Sequence, residues 1–270
     1  MSTKRQASTA EFLAANPVFS VDEAAAAFKS PRGTRAAVER FRRYLDSGRL
    51  KLLARGLYAV VPPGRSAATF QADPFLVTRA ARPNSVFCYH SALELLGVAH
   101  STWNKYTVLT DQRRPPLKLN GAQMLFLDHP AELRNAGAIE LGVTKVEHRG
   151  FLLRVTGPER TLVEGFRRVD LVGGLTELTT SAGGFAVLDL ELLERVLKQY
   201  DSRKLWSAVG WFLEQHQRSF HVPDEFLEQL EKCRPRSPLY IPRRQRGGVL
   251  ASRWNVILPM ELMRSEPDEC

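Results

Sequence analysis

The chain is poor in the residues that build covalent or metal frameworks. Of its 270 residues only three are cysteines, Cys88, Cys233 and Cys270. They are too few and too scattered for a disulfide scaffold or a CxxC metal knuckle, which predicts a reduced, cytoplasmic setting. The six histidines, His90, His100, His129, His148, His216 and His221, form no HExxH pattern and no paired metal spacing. No Walker loop and no dinucleotide fingerprint occurs, so Gly173-Gly174 and Gly183-Gly184 read as turns. There is no apolar run long enough to span a bilayer, and the opening MSTKRQASTA is polar and basic, so neither a membrane anchor nor a secretory signal is expected. The expectation is therefore a protein without metal or cofactor, and not an enzyme.

What the chain has instead is positive charge, placed unevenly. The net charge is +9, with 44% hydrophobic and 25% charged residues, an ordinary folded composition. Residues 29–55 hold nine cations against Glu39 and Asp46, a local +7, and residues 232–253 hold seven cations and no acid, another +7. The remainder of the chain is left at −5. Two concentrated cationic blocks on an otherwise acidic chain predict a polyanionic partner.

The first block lies in a recognisable order of elements. A short helix over Thr9–Ala15 ends before Asn16-Pro17, because a residue preceding proline is driven out of helical geometry. Ser20 and Glu23 have the spacing of a capping box and open a second, alanine-rich helix that runs to about Phe28. Turn residues follow, with Ser30 or Thr34 placed to cap a third helix. Stepping residues 35–46 by about 100° each gathers Ala37, Val38, Phe41, Tyr44 and Leu45 on one face. Arg35, Glu39, Arg42, Arg43 and Asp46 take the opposite face, with Arg40 on the flank. Ser47-Gly48 stops the helix, and Leu50–Leu53 and Leu57–Val61 read as paired strands about an Ala54-Arg55-Gly56 turn. Helix, turn, helix and two-stranded ribbon is the order of a winged helix-turn-helix.

Val61-Pro62-Pro63-Gly64 marks a hinge, giving a winged helix over 1–61, a hinge over 62–72 and a larger domain over 73–270. In that domain, strands are expected at Val86–Tyr89, Lys105–Thr110, Met124–Asp128, Gly142–Glu147 and Phe151–Val155. Helices are expected at Asp73–Ala81, Ser91–Leu96, Glu159–Phe166, Asp189–Tyr200, Lys204–Gln215 and Pro223–Cys233. Strands first and helices later predict an α+β fold.

The whole chain resembles the AbiEi family, the antitoxin and repressor half of type IV toxin-antitoxin and abortive-infection systems. The resemblance rests on the basic head closing on Gly48-Arg49-Leu50 and Arg55-Gly56-Leu57-Tyr58, on Tyr89-His90-Ser91-Ala92-Leu93 with Gly97-Val98, and on Val155 through Glu164 (VTGPERTLVE) followed by Gly173-Gly174 and Glu177. A late Arg253-Trp254-Asn255 adds to it. The family commonly has aspartate where Glu164 stands. The resemblance implies autorepression through inverted repeats in the protein's own promoter, two copies matching the two half-sites, and neutralisation of a nucleotidyltransferase-like toxin, with direct contact to that toxin left open.

Read for chemistry, Arg35, Arg42 and Arg43, with Arg32 and Thr34 at the helix entrance and Lys51 and Arg55 on the wing, form the candidate DNA-binding surface. Arginine forks suit guanine edges and phosphates alike, against the plain alternative of a solvated basic helix. Arg234, Arg236, Arg243, Arg244 and Arg246 form a second basic surface on an expected loop. It suits a phosphate backbone or an acidic or RNA-bound toxin, or is simply a solvated loop. Cys88 and His90, two apart on a strand, would share a face but lack an orienting acid, and Asp189, Glu191 and Glu194 with Lys198 read as salt-bridged helix surface. A nuclease-like DNA-processing enzyme and a one-component ligand-sensing regulator remain alternatives. Trp206 and Trp211 are expected in the core, with Trp254 left open.

Overall fold

The computed structural model describes residues 8–29, 33–112, 114–242 and 247–263. The chain divides into two compact units: one takes the chain up to Ser85 together with Asn104–Tyr106 and Pro115–Leu125, and the other takes the rest. The first unit continues past the hinge expected over 62–72.

The first unit opens with α1 (Thr9–Ala15), β1 (Val18–Ser20), α2 (Val21–Ala27), α3 (Gly33–Asp46), β2 (Leu50–Ala54), β3 (Leu57–Val60) and α4 (Pro74–Ala81). Both α1 and α2 start in reciprocal capping boxes, Ser8 with Glu11 and the expected Ser20 with Glu23, which satisfy amides that would otherwise be orphaned. Thr34 lies inside the first turn of α3 and does not precede it, and Ser30 falls outside the described residues. The strand order is β1-β3-β2, all antiparallel. Phe12, Phe19, Phe28, Phe41 and Tyr58 meet beneath the helices, ring to ring, with centroids 5.0 to 6.1 Å apart. Each such ring contributes roughly 1.5–3 kcal/mol through burial.

The unit runs past residue 61 because the following segment is bonded back onto it. Lys51 Nζ donates to the carbonyls of Phe70 (2.7 Å) and Ala68 (3.4 Å). Asp73 caps α4 through the amides of Phe75 and Leu76, α4 packs on β1 and β3, and Arg79 pairs with Glu23 at 2.9 Å. The hinge thus has polar attachments that a proline-glycine count does not reveal.

The chain continues with β4 (Val86–Phe87), α5 (His90–Leu95), β5 (Lys105–Thr110), β6 (Arg114–Leu119), β7 (Ala122–Asp128), α6 (Ala131–Asn135), β8 (Val143–His148) and β9 (Phe151–Thr156). These strands form one sheet in the order β6-β7-β5-β4-β9-β8, with β4 and β9 parallel. The sequence reading missed β6, since Pro115-Pro116 argues against a strand; β6 is an edge, where proline is tolerated. Asn120-Gly121, both at positive φ (47° and 84°), turns β6 into β7, and this pair was a legible hairpin signal.

Next come α7 (Pro158–Arg167), a 3-10 turn at Val169–Leu171, α8 (Leu175–Gly183), α9 (Leu190–Tyr200), α10 (Arg203–Gln215), α11 (Asp224–Lys232), β10 (Leu239–Tyr240), β11 (Val249–Ala251), β12 (Val256–Leu258) and α12 (Met260–Met263). The expected α+β class holds, with α8 and the small β10-β12-β11 sheet as additions. The helices enclose the core of the second unit, in which Leu162, Phe166, Val196, Leu197, Val209 and Phe212 are fully buried.

Trp206 and Trp211 are core residues as expected, and Trp254 joins them at 0% exposure with its Nε1 donating to Glu214 Oε2 at 2.6 Å. Gly210 on α10 gives Trp254 its space: a Cβ there would stand 2.1 Å from Trp254 Cζ3. Gly210→Ala is accordingly expected to cost about 1–3 kcal/mol by overpacking, read as a lower urea midpoint at unchanged m-value.

Candidate nucleic-acid interface

The inner face of α3 is fixed by Ala37, Phe41 and Tyr44, all buried in the ring cluster. Val38, expected on that face, is 42% exposed, since it lies at the edge of the apolar sector. Fixing the inner face leaves Arg35, Glu39, Arg40, Arg42, Arg43 and Asp46 in solvent.

These cations differ in how firmly they are held. The Arg35 side chain is 87% exposed, with only a 3.7 Å ion pair to Glu39 one turn on, an exposed contact worth a few tenths of a kcal/mol. The Arg43 guanidinium lies 5.1 Å from the Tyr44 ring centroid and donates to the Tyr44 hydroxyl at 3.3 Å, while Arg49 approaches the same ring at 5.4 Å. Arg40 sits 4.9 Å from the centroid of Phe28. Arg42 is exposed, and together with Thr9, Glu39, Arg40, Arg43 and Asp46 it lines an open groove of about 460 Å³. Two arginines sharing one tyrosine are partly pre-organised, which reduces the side-chain entropy lost on meeting a phosphate.

Of the other expected DNA-binding residues, Thr34 is exposed at the start of α3, and Arg55 is exposed at the tip of the β2–β3 hairpin beside Gly56, whose φ of +73° makes the turn. The backbone carbonyl of Gly56 accepts from Val21 N at 2.7 Å, tying that tip to the start of α2. Lys51 differs, because its ammonium is already committed to the Ala68 and Phe70 carbonyls. Arg32 lies outside the described residues.

The second basic block is not all loop, because it includes β10 and β11. Nor is it free of acids in space. Arg234 pairs with Glu231 at 2.9 Å, and Arg253 bridges Glu231 (2.9 Å) and Glu214 (2.8 Å) while lying 5.2 Å from the Trp254 ring. Arg236 is exposed, whereas Arg243, Arg244 and Arg246 lie outside the described residues.

Elsewhere, Cys88, His90 and Glu177 are engaged inside the second unit. Tyr89 has φ +55°, which turns the chain so that His90 opens α5 and leaves the strand pattern that would have put it beside Cys88. Cys88 donates weakly to Thr107 O at 3.6 Å, and burial, with Glu164 adding to it, pushes its thiol well above its ordinary range and away from the thiolate a nucleophile needs. The buried His90 ring contacts Glu94 at 2.9 Å and Glu177 at 3.5 Å and stacks on Trp103 at 4.7 Å. Burial pushes the Glu177 carboxyl up, but hydrogen bonds from Ser101 and Ser181 outweigh it and hold the group below its ordinary value. Asp189 caps α9, Glu194 pairs with Lys198 at 2.7 Å, and Glu191 is exposed, so these acids have the helix-surface roles expected of them.

The feature sequence reasoning did not find is a fully buried ion pair on α7. Arg160 Nε donates to Glu164 Oε1 at 2.7 Å, and the Tyr200 hydroxyl donates to the same oxygen at 2.6 Å. Arg160 Nη1 also caps the carbonyls of Ile139 (2.7 Å) and Leu141 (3.0 Å). Arg160 Nη2 and Glu164 Oε2 are buried without a partner among the described residues. The i,i+4 spacing of Arg160 and Glu164 was visible, but an exposed pair has the same spacing.

No family model matches the chain, and no curated protein matches it. Three solved chains are similar to it. One, the crystal structure of the RV2827C protein from Mycobacterium tuberculosis, superposes with a TM-score of 0.58 at 18% identity over 89% of this chain and 86% of that one, a likeness of fold.

Proposed function

We propose that the first unit is a winged helix-turn-helix that binds duplex DNA and represses its own promoter, and that the second unit acts as the antitoxin against a nucleotidyltransferase-like toxin. The observation that carries the DNA reading is the outer face of α3, where Arg35, Arg42 and Arg43 stand in solvent over a fixed aromatic core. A helix held from beneath and cationic above suits entry into a major groove, and Arg55 on the neighbouring hairpin suits a phosphate beside it. A palindromic operator would take two copies, one per half-site. The antitoxin role rests on the AbiEi resemblance in VTGPERTLVE and its companion motifs.

A gel shift on the native upstream region tests the DNA reading. Wild-type protein should shift it, and Arg35→Ala with Arg43→Ala should weaken binding by about one to two orders of magnitude if one of the pair reads a base. Equal affinity of the double variant, or no shift at all, would refute it. Growth rescue on co-expression with the neighbouring toxin gene tests the antitoxin role, and failure to rescue would remove that part alone.

A further inference from the structure

The small β10-β12-β11 sheet of the second unit has one apolar face turned inward and one turned outward. Trp254, Val256, Leu258 and Ile241 are fully buried. On the other side, Tyr240 and Leu250 are both in register with Ile257, so the three lie in one row across the sheet. Tyr240 is 40% and Leu250 43% exposed, and β10 is an edge strand. The row presents an aromatic ring to solvent at the sheet margin.

At the start of β12 lies an open groove of about 640 Å³, lined by Arg203, Lys232, Arg234, Pro235, Arg236, Asn255 and the acids Glu228 and Glu231. Glu231 is taken up by Arg234 and Arg253. Arg203, Lys232 and Arg236 form no ion pair with a carboxylate among the described residues, although Arg203 Nη1 donates to the Arg234 carbonyl at 3.2 Å; four lining cations against Glu228 and Glu231 leave the groove net positive. It also adjoins the sheet directly: the carbonyl of Asn255, a lining residue, accepts from Leu239 N at 3.0 Å, one residue before Tyr240.

We propose that this surface binds single-stranded nucleic acid, phosphates along Arg203, Lys232 and Arg236 and an unstacked base on Tyr240. Spaced cations beside an exposed ring fit a polymer that alternates charge with flat apolar faces. A duplex keeps its bases stacked and has no face to offer the ring. An acidic polypeptide would use the cations and leave Tyr240 idle. None of these residues belongs to α3, and the proposal stands independently of the DNA reading above.

The test uses the full chain and fluorescence anisotropy with labelled oligouridine and oligothymidine of about 20 nucleotides. Binding should weaken about ten-fold or more in Lys232→Glu with Arg236→Glu, and several-fold in Tyr240→Ala, while Tyr240→Phe retains it. Arg35→Ala with Arg43→Ala should leave it unchanged, which separates this site from the duplex-binding one. Preference for uridine or thymidine identifies the strand as RNA or DNA. Lack of binding to both strands, binding indifferent to Lys232, Arg236 and Tyr240, or equal displacement by polyglutamate would each overturn the proposal. Circular dichroism melts of the variants confirm that a loss is not unfolding.

Discussion

Glu164→Ala is expected to destabilise the second unit by about 3–5 kcal/mol, because it leaves the Arg160 guanidinium buried without its counter-charge. Both side chains have 0% exposure, so water cannot replace the carboxylate without opening the packing of α7. Arg160→Ala should be comparably severe, since Ile139 and Leu141 also lose the donor to their carbonyls. The double change Arg160→Met with Glu164→Leu should cost less than the two singles added together, for it removes charge and counter-charge at once. Urea unfolding followed by circular dichroism reads the three variants, and a double change costing as much as the two singles added together would show that the pair is not coupled. Tyr200→Phe, which removes a 2.6 Å donor to Glu164 Oε1, should cost less than either charge deletion.

The second large effect concerns salt. If α3 and the β2–β3 tip together neutralise about six phosphates, affinity for the upstream duplex should fall on the order of 10³-fold between about 50 and 200 mM salt. Removing one phosphate contact, as in Arg55→Ala, should lower the slope by about one without changing sequence preference. Removing a base-reading arginine should relax preference at one position as well. Titrations at four salt concentrations distinguish these, and a flat salt response would contradict a phosphate-dominated interface.

Much of the local structure was legible because short-range chemistry decides it. Ser20 with Glu23 gave the start of α2, Asn16-Pro17 the end of α1, and Ser47-Gly48 the end of α3. The outer face of α3 followed from periodicity, with Val38 misplaced because a wheel sector has soft edges. What could not be read depends on partners distant in sequence. The attachment of Phe70 to Lys51 is one such contact, and Glu214 and Glu231 neutralised arginines that looked unopposed along the chain. Burial of Arg160 and Glu164 likewise needed the helices around α7 to be placed first. For the candidate site, the residue types on α3 were readable, while the stacking of Arg43 and Arg49 on Tyr44 was not.

The two prolines of β6 bear on how copies of this chain meet. Pro115 and Pro116 lie on an edge strand and supply no amide donors there. A second molecule seeking to extend the sheet past β6 finds an incomplete ladder, the same device that guards natural edges against aggregation. A second copy of this chain would therefore not be joined through a continuous ladder at β6. Because successive amides of a strand point to opposite sides, replacing both prolines with threonine would return one donor to the open edge and one to the β7 side, making that margin more adhesive.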